Sequence, residues 1–198
     1  MGRTKISDEL IDKHRDINTD YDWWEGVYED FKRVAKILGF DVDLKNVFFS
    51  GFCSQGDGAS FTGYYHATGS RFHPPISARS FAEIAPAEIR SYAPQDTTLH
   101  EIADELLVIS RMYFPAQATI GRTGTMYSHC ATMNIPACEE CYIEDEFDDE
   151  VLEAVADAIL VQARALADWL YKQLEAEHEY QQSDEAVTES IFANDLHK

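Results

Sequence analysis

Between residues 147 and 180, Leu152, Val155, Ile159, Leu166, Trp169, Leu170 and Leu174 recur at separations built from threes and fours. That period is one face of a long amphipathic helix, and such a face needs other elements to bury it. Trp24, Val27, Tyr28, Phe31, Val34, Ala35 and Leu38 repeat the pattern, predicting a helix over 20–38 with Gly39 as its stop. Thr19 and Asp22 have the spacing of a capping box in front of it. Leu99, Ile102, Leu106, Ile109 and Tyr113 predict a helix over 97–113, and a weaker one covers 79–91 around Pro86.

Between these helices lie short runs of strand formers. Val47–Phe49 and Ser60–His66 flank a Gly-rich turn, which reads as a β-hairpin, and 116–122 with 125–133 reads as a second one. The order helix, hairpin, helices, hairpin, helix predicts an α+β fold: an antiparallel sheet built from two β-hairpins packed against amphipathic helices, closing on the long C-terminal helix. The two hairpins are compatible with one four-stranded sheet. Residues 1–18 read as a loosely ordered arm, 19–180 as a single domain and 181–198 as a polar tail that frays.

Charge limits the function. Sixteen Lys and Arg against 36 Asp and Glu give a net charge of −20, while 45% hydrophobic and 12% aromatic residues are enough for a real core. Such a chain is a poor ligand for nucleic-acid phosphates or an anionic membrane. No run approaches the 18 apolar residues of a span, and no apolar run follows the first residues, so neither a span nor a signal peptide is expected. Ile6 also fails the myristoylation pattern.

The acidity is concentrated. From Thr123 to Ala163 there is no Lys or Arg, and the same 41 residues hold Glu139, Glu140, Glu144, Asp145, Glu146, Asp148, Asp149, Glu150, Glu153 and Asp157. Carboxylates at 146–150 stand where the macrodipole of the last helix favours them. The others form a dense negative surface, which serves either solubility or docking. For docking on a protein with a basic surface, the candidate residues are Glu139, Glu140, Glu144, Asp145, Glu146, Asp148 and Asp149. The spacing of a calcium-binding EF-hand is absent.

The turn Ser54-Gln55-Gly56-Asp57-Gly58 reads either as a plain hairpin turn or as a nest of N–H groups for an anion, with Tyr64, Tyr65 and Arg71 completing a nucleotide-like pocket. It lacks the Gly-Lys-Ser/Thr of a phosphate loop. Cys53 could pair with His66 or His129 as a nucleophile, or sit inertly among aromatics. Cys138-Glu139-Glu140-Cys141 has the spacing of half a zinc site, with Cys130 or His129 as a third ligand and His66 or Cys53 as a fourth. Adjacent strand residues point to opposite faces, so His129 and Cys130 do not readily serve one ion. Plain thiols, without metal or cofactor, are the reading adopted. His100-Glu101 lacks the second His of a zincin motif, because position 104 is Asp. Trp23, Trp24 and Trp169 read as core or interface anchors, since no basic residues interleave with them.

Asn18-Thr19-Asp20-Tyr21-Asp22-Trp23-Trp24, then Val27-Tyr28-Glu29-Asp30, then Phe49-Ser50-Gly51-Phe52-Cys53-Ser54-Gln55-Gly56-Asp57-Gly58-Ala59-Ser60-Phe61, resembles a family of small acidic proteins encoded by tailed bacteriophages and prophages. Some members carry the label antitoxin of a toxin–antitoxin system. The match covers residues 16–66 and brings no catalytic residues with it. It implies a viral protein acting in the cytoplasm of a host bacterial cell. Together with the charge, the expectation is a non-catalytic accessory protein that inhibits or neutralises a host protein, either a toxin or a nucleic-acid-binding defence complex. No direct nucleic-acid or membrane contact is expected, and a homodimer is compatible with the sequence. The alternatives are a small-ligand sponge using the Gly-rich loop and a Cys-dependent enzyme.

Overall fold

The first periodic segment forms α2 (Glu25–Ile37), preceded in the chain by the short α1 (Asp8–Lys13). It starts five residues later than the sequence predicts. The Thr19 hydroxyl donates to the Asp16 carbonyl instead of capping a helix, so the box does not form. α2 stops at Gly39, whose φ of +91° is the left-handed conformation suited to a helix end. These elements come from a computed structural model that describes residues 6–67, 79–113, 116–124, 126–136, 141–142 and 148–196, of which 79–82 and 141–142 are described for backbone only.

The fold is α+β. β1 (Phe40–Asp41) leads through a turn capped by Asp43 to β2 (Val47–Ser50), which pairs antiparallel with β3 (Gly58–Phe61). The segment read as one strand over 60–66 is two. Thr62 breaks the ladder by donating its N–H to the Asn46 carbonyl, 3.0 Å away, and β4 (Gly63–His66) then joins a different sheet. There β4 lies between β1 and β5 (Gln117–Arg122), with Tyr65 opposite both Phe40 and Ala118. β5 also pairs with β6 (Met133–Asn134) and β7 (Cys141–Tyr142). The two predicted hairpins therefore do not share one four-stranded sheet: β2–β3 stands alone beside a five-stranded one. Residues 130–132, read as strand, form a 3-10 turn because His129 Nδ1 accepts the Ala131 N–H at 3.0 Å.

Helices α3 (Arg79–Tyr92) and α4 (Thr97–Met112) are tied by ion pairs from Arg90 to Asp104 and from Arg111 to Glu83. Asp96 caps α4 through the Leu99 N–H and also accepts the indole N–H of Trp169 at 2.7 Å. Trp169 lies on α5 (Asp149–Gln181), which buries Val155, Ile159, Leu166 and Leu170. Phe61 packs against Phe31 and Phe40, with ring centroids at 5.4 and 5.9 Å. Tyr65 meets Ser110 of α4 through its hydroxyl at 3.2 Å. Among the described residues no helix is long and apolar enough to cross a membrane.

The chain divides into two compact units, one spanning Glu29–Tyr171 and one made of the chain ends, up to Tyr28 and from Lys172. The loose arm and fraying tail are corrected here. Ile6 and Ile11 bury themselves with Val187 and Ile191 of α6 (Asp184–Ala193), and Leu10, Ile17 and Phe192 pack around them. Arg15 bridges Asp12 and Asp184 and donates to the Gln182 carbonyl, while Asn18 donates to the Gln181 carbonyl.

Candidate functional site

The Gly-rich loop closes on itself. Asp57 Oδ2 accepts the backbone N–H of Cys53 at 2.9 Å and of Ser54 at 2.6 Å. The nest expected to receive an anion is thus filled by the loop's own carboxylate, and an incoming anion would have to displace it. Ser54, Gln55, Gly56, Asp57 and Gly58 thus form a self-capped turn, in keeping with the plain-turn alternative for this segment. A Cβ on Gly56 would lie 2.7 Å from the Tyr127 ring, and one on Gly58 2.9 Å from His129 Cα, so these glycines serve close packing. Tyr65 is buried in the other sheet, Tyr64 donates its hydroxyl to Gln117, and Arg71 lies outside the described residues.

The two N–H donors hold the Asp57 carboxyl below the ordinary carboxylate range. The folded pKa is depressed, so the loop's contribution is present above the unfolded carboxylate pKa and is lost as pH falls through the folded one. In an NMR titration the Asp57 carboxyl should titrate below its neighbours, and the Cys53 and Ser54 amide shifts should move with it. Asp57→Asn should abolish that movement. An ordinary Asp57 titration with static amide shifts would remove the cap.

α5 reaches this loop. The Tyr171 ring stacks on Phe52 at 5.4 Å, its hydroxyl donates to the Gly51 carbonyl at 3.3 Å, and Phe49 lies 6.2 Å from Phe52. Arg122 covers the Phe48 ring at 4.1 Å and donates to the Tyr127 carbonyl. Tyr127 is 55% exposed and its neighbour Met126 82%. Phe48 and Phe49 are neighbours on β2 and point to opposite faces, so these are two ring clusters, one with Tyr171 and Phe52 and one with Arg122 and Tyr127. Exposed aromatic and methionine side chains are the composition that concentrates binding energy at protein interfaces.

At the other end of the unit's share of α5, Asp148, Asp149, Glu150, Glu153 and Asp157 are all exposed. Asp148 caps the helix by accepting the Val151 N–H at 3.0 Å. None of the five is ion-paired among the described residues. Val161, 57% exposed, continues the stripe four residues beyond Asp157. Glu139, Glu140, Glu144, Asp145, Glu146 and Cys138 lie outside the described residues, and Cys141 is described for backbone only.

Two of the four cysteine side chains, Cys53 and Cys130, lie among the described residues. Cys53 is exposed in the loop, His66 is buried on β4, and His129 Nδ1 is 3.5 Å from Cys130 Sγ while accepting the Ala131 N–H. Burial, then the Asp168 carboxylate, push the Cys130 thiol up to about 12, against a smaller opposing pull from Arg164. A thiol in that state is a poor nucleophile, because the thiolate is the reactive form. Among the described residues no three of His, Cys, Asp and Glu are grouped to hold a metal ion.

Sequence reasoning missed Tyr171, Arg122 and Tyr127. It could have found the self-capping role of Asp57, since Asp side chains bond to nearby backbone N–H groups in turns. Residues 23–184 match a family model described as a domain of unknown function (DUF8835). No curated protein and no solved structure matches the chain.

Proposed function

Since the chain belongs to the DUF8835 family, a domain of unknown function, we propose a role from the site itself: a phage accessory protein that binds and inhibits or neutralises a host protein with a basic surface, in the cytoplasm of the host bacterium. One observation carries the reading. α5 and its cap Asp148 display five exposed carboxylates with no ion pair among the described residues, and the same helix stacks Tyr171 on Phe52. The macrodipole accounts for Asp148, Asp149 and Glu150 in the first turn but not for Glu153 and Asp157. Unneutralised like charges destabilise a fold, and a basic partner removes that repulsion. Carboxylates at one end of α5 steer the encounter over a distance, while exposed aromatics elsewhere hold the complex. The resemblance of residues 16–66 to phage-encoded proteins supports the setting.

The test is capture from bacterial lysate on the wild-type protein and on a Glu150→Lys, Glu153→Lys, Asp157→Lys variant. A basic host protein should be retained by the wild type at low ionic strength, released as salt rises, and not retained by the variant. With the captured protein purified, Tyr127→Ala should speed its dissociation roughly tenfold or more. Equal retention by both proteins, or none at low salt, sinks the reading.

A further inference from the structure

A groove of about 590 Å³ opens between α2 and α3, lined by Arg33, Lys36, Ile37, Glu88, Ser91 and Tyr92. It lies outside both sites discussed above. Tyr92 fixes its geometry: the hydroxyl donates to the Asp30 carboxylate, and the Arg33 guanidinium lies over the ring, 4.9 Å from its centroid. Asp30 and Arg33 are three residues apart, hence on one face of α2. Stacking therefore holds Arg33, and Tyr92 engages the carboxylate nearest in sequence.

Lys36 follows one turn further along the same face. Neither Arg33 nor Lys36 is ion-paired with a carboxylate among the described residues. In a chain where acids outnumber Lys and Arg 36 to 16, two cations side by side in a concavity with no ion pair among the described residues call for an explanation. Like charges at this spacing repel each other, and a bound dianion relieves that repulsion. An arginine already ordered by stacking loses less freedom on binding than a free one. The opposite wall is different: Glu88 and Ser91, three residues apart on α3, offer acceptors for O–H or N–H donors, and Ile37 adds apolar surface. The volume falls within the usual range of small-molecule sites.

We propose that this groove binds a small phosphate monoester, its phosphate between Arg33 and Lys36 and a hydroxyl or amino group donating to Glu88. Sugar phosphates and nucleoside monophosphates have this chemistry. A monocarboxylate leaves one cation unanswered, and a polyphosphate brings more charge than two cations offset in a protein of this sign. Inorganic phosphate carries its only donors on the group that Arg33 and Lys36 hold, so it gains less from Glu88 than a monoester whose hydroxyl or amino group lies further out.

Amide NMR titrations at low ionic strength with 5′-AMP, ribose 5-phosphate, adenosine and inorganic phosphate test the assignment. The two monoesters should shift amides at 33–37 and 88–92 saturably, with Kd of about 1 mM or tighter. Adenosine and inorganic phosphate should bind at least tenfold more weakly. Lys36→Gln, which leaves the Tyr92 contacts intact, should weaken monoester binding about tenfold, and Arg33→Gln at least as much. Glu88→Gln should narrow the margin over inorganic phosphate. A larger response to 5′-AMP than to ribose 5-phosphate identifies a nucleotide site, and an equal response a sugar-phosphate site. No saturable shift by either monoester up to about 10 mM overturns the proposal. So does monoester binding that Lys36→Gln does not weaken, adenosine binding as tight as AMP, or inorganic phosphate binding as tight as the monoesters. The α5 variants leave this groove untouched, so its failure and that of the docking reading are separable.

Discussion

Phe61→Ala should cost about 3–5 kcal/mol of stability. Phe61 is wholly buried at the end of β3, in contact with Phe31 of α2 and Phe40 of β1. It is therefore the ring through which the isolated β2–β3 hairpin joins both a helix and the five-stranded sheet. Truncation removes apolar contact on two sides and leaves a ring-sized void that rigid neighbours cannot fill. Against a typical stability of about 5–15 kcal/mol, that is a large share. Urea melts should show a much lower midpoint with an unchanged slope. Phe61→Leu should lose far less. A shift of under about 1 kcal/mol for the alanine variant would show that the hairpin is anchored elsewhere.

Gly39→Ala should be nearly as damaging, for a reason of backbone rather than side chain. The φ of +91° costs any L-residue about 1–2 kcal/mol, and a Cβ here would sit 2.6 Å from the His66 carbonyl oxygen. Relieving that clash means separating the end of α2 from β4, where the His66 N–H donates to the Gly39 carbonyl at 2.9 Å. The expected loss is about 3 kcal/mol or more, conformational strain and steric overlap together. Gly26 supplies the contrast. It lies within α2 with nothing within 4 Å of an added Cβ, so Gly26→Ala should stabilise by about 0.5–1 kcal/mol. Thermal melts of the two variants should move in opposite directions, and a neutral Gly39→Ala would mean the α2–β4 junction is loose.

The helices were legible because their apolar residues keep one period over several turns. The predicted spans for α3, α4 and α5 agree with the observed ones to within one or two residues at each end. What escaped is set by partners distant in sequence. Ser60–His66 alternates as one strand, and nothing local announces that Thr62 will bond to Asn46 and send the two halves to different sheets. The chain ends look polar because α1 and α6 bury few apolar residues each. Ile6 and Ile11 find Val187 and Ile191 only across more than 170 positions. At the site, the sequence marked the loop and the acidic helix but not their connection, since Tyr171 and Gly51 lie 120 residues apart.

Cys130 turns the protein into its own stopwatch. Held at about 12, its thiol is almost entirely protonated at neutral pH and shut away from reagents. In any conformation that frees it, the pKa falls back toward about 8.5 and alkylation becomes fast. Its labelling rate therefore counts excursions of the turn at 130–132 that leads into β6, without any engineered probe. Cys53, exposed in the native loop, records the rate without a protecting structure. The ratio of the two, read peptide by peptide, converts a static difference in burial into the frequency with which this corner of the sheet opens.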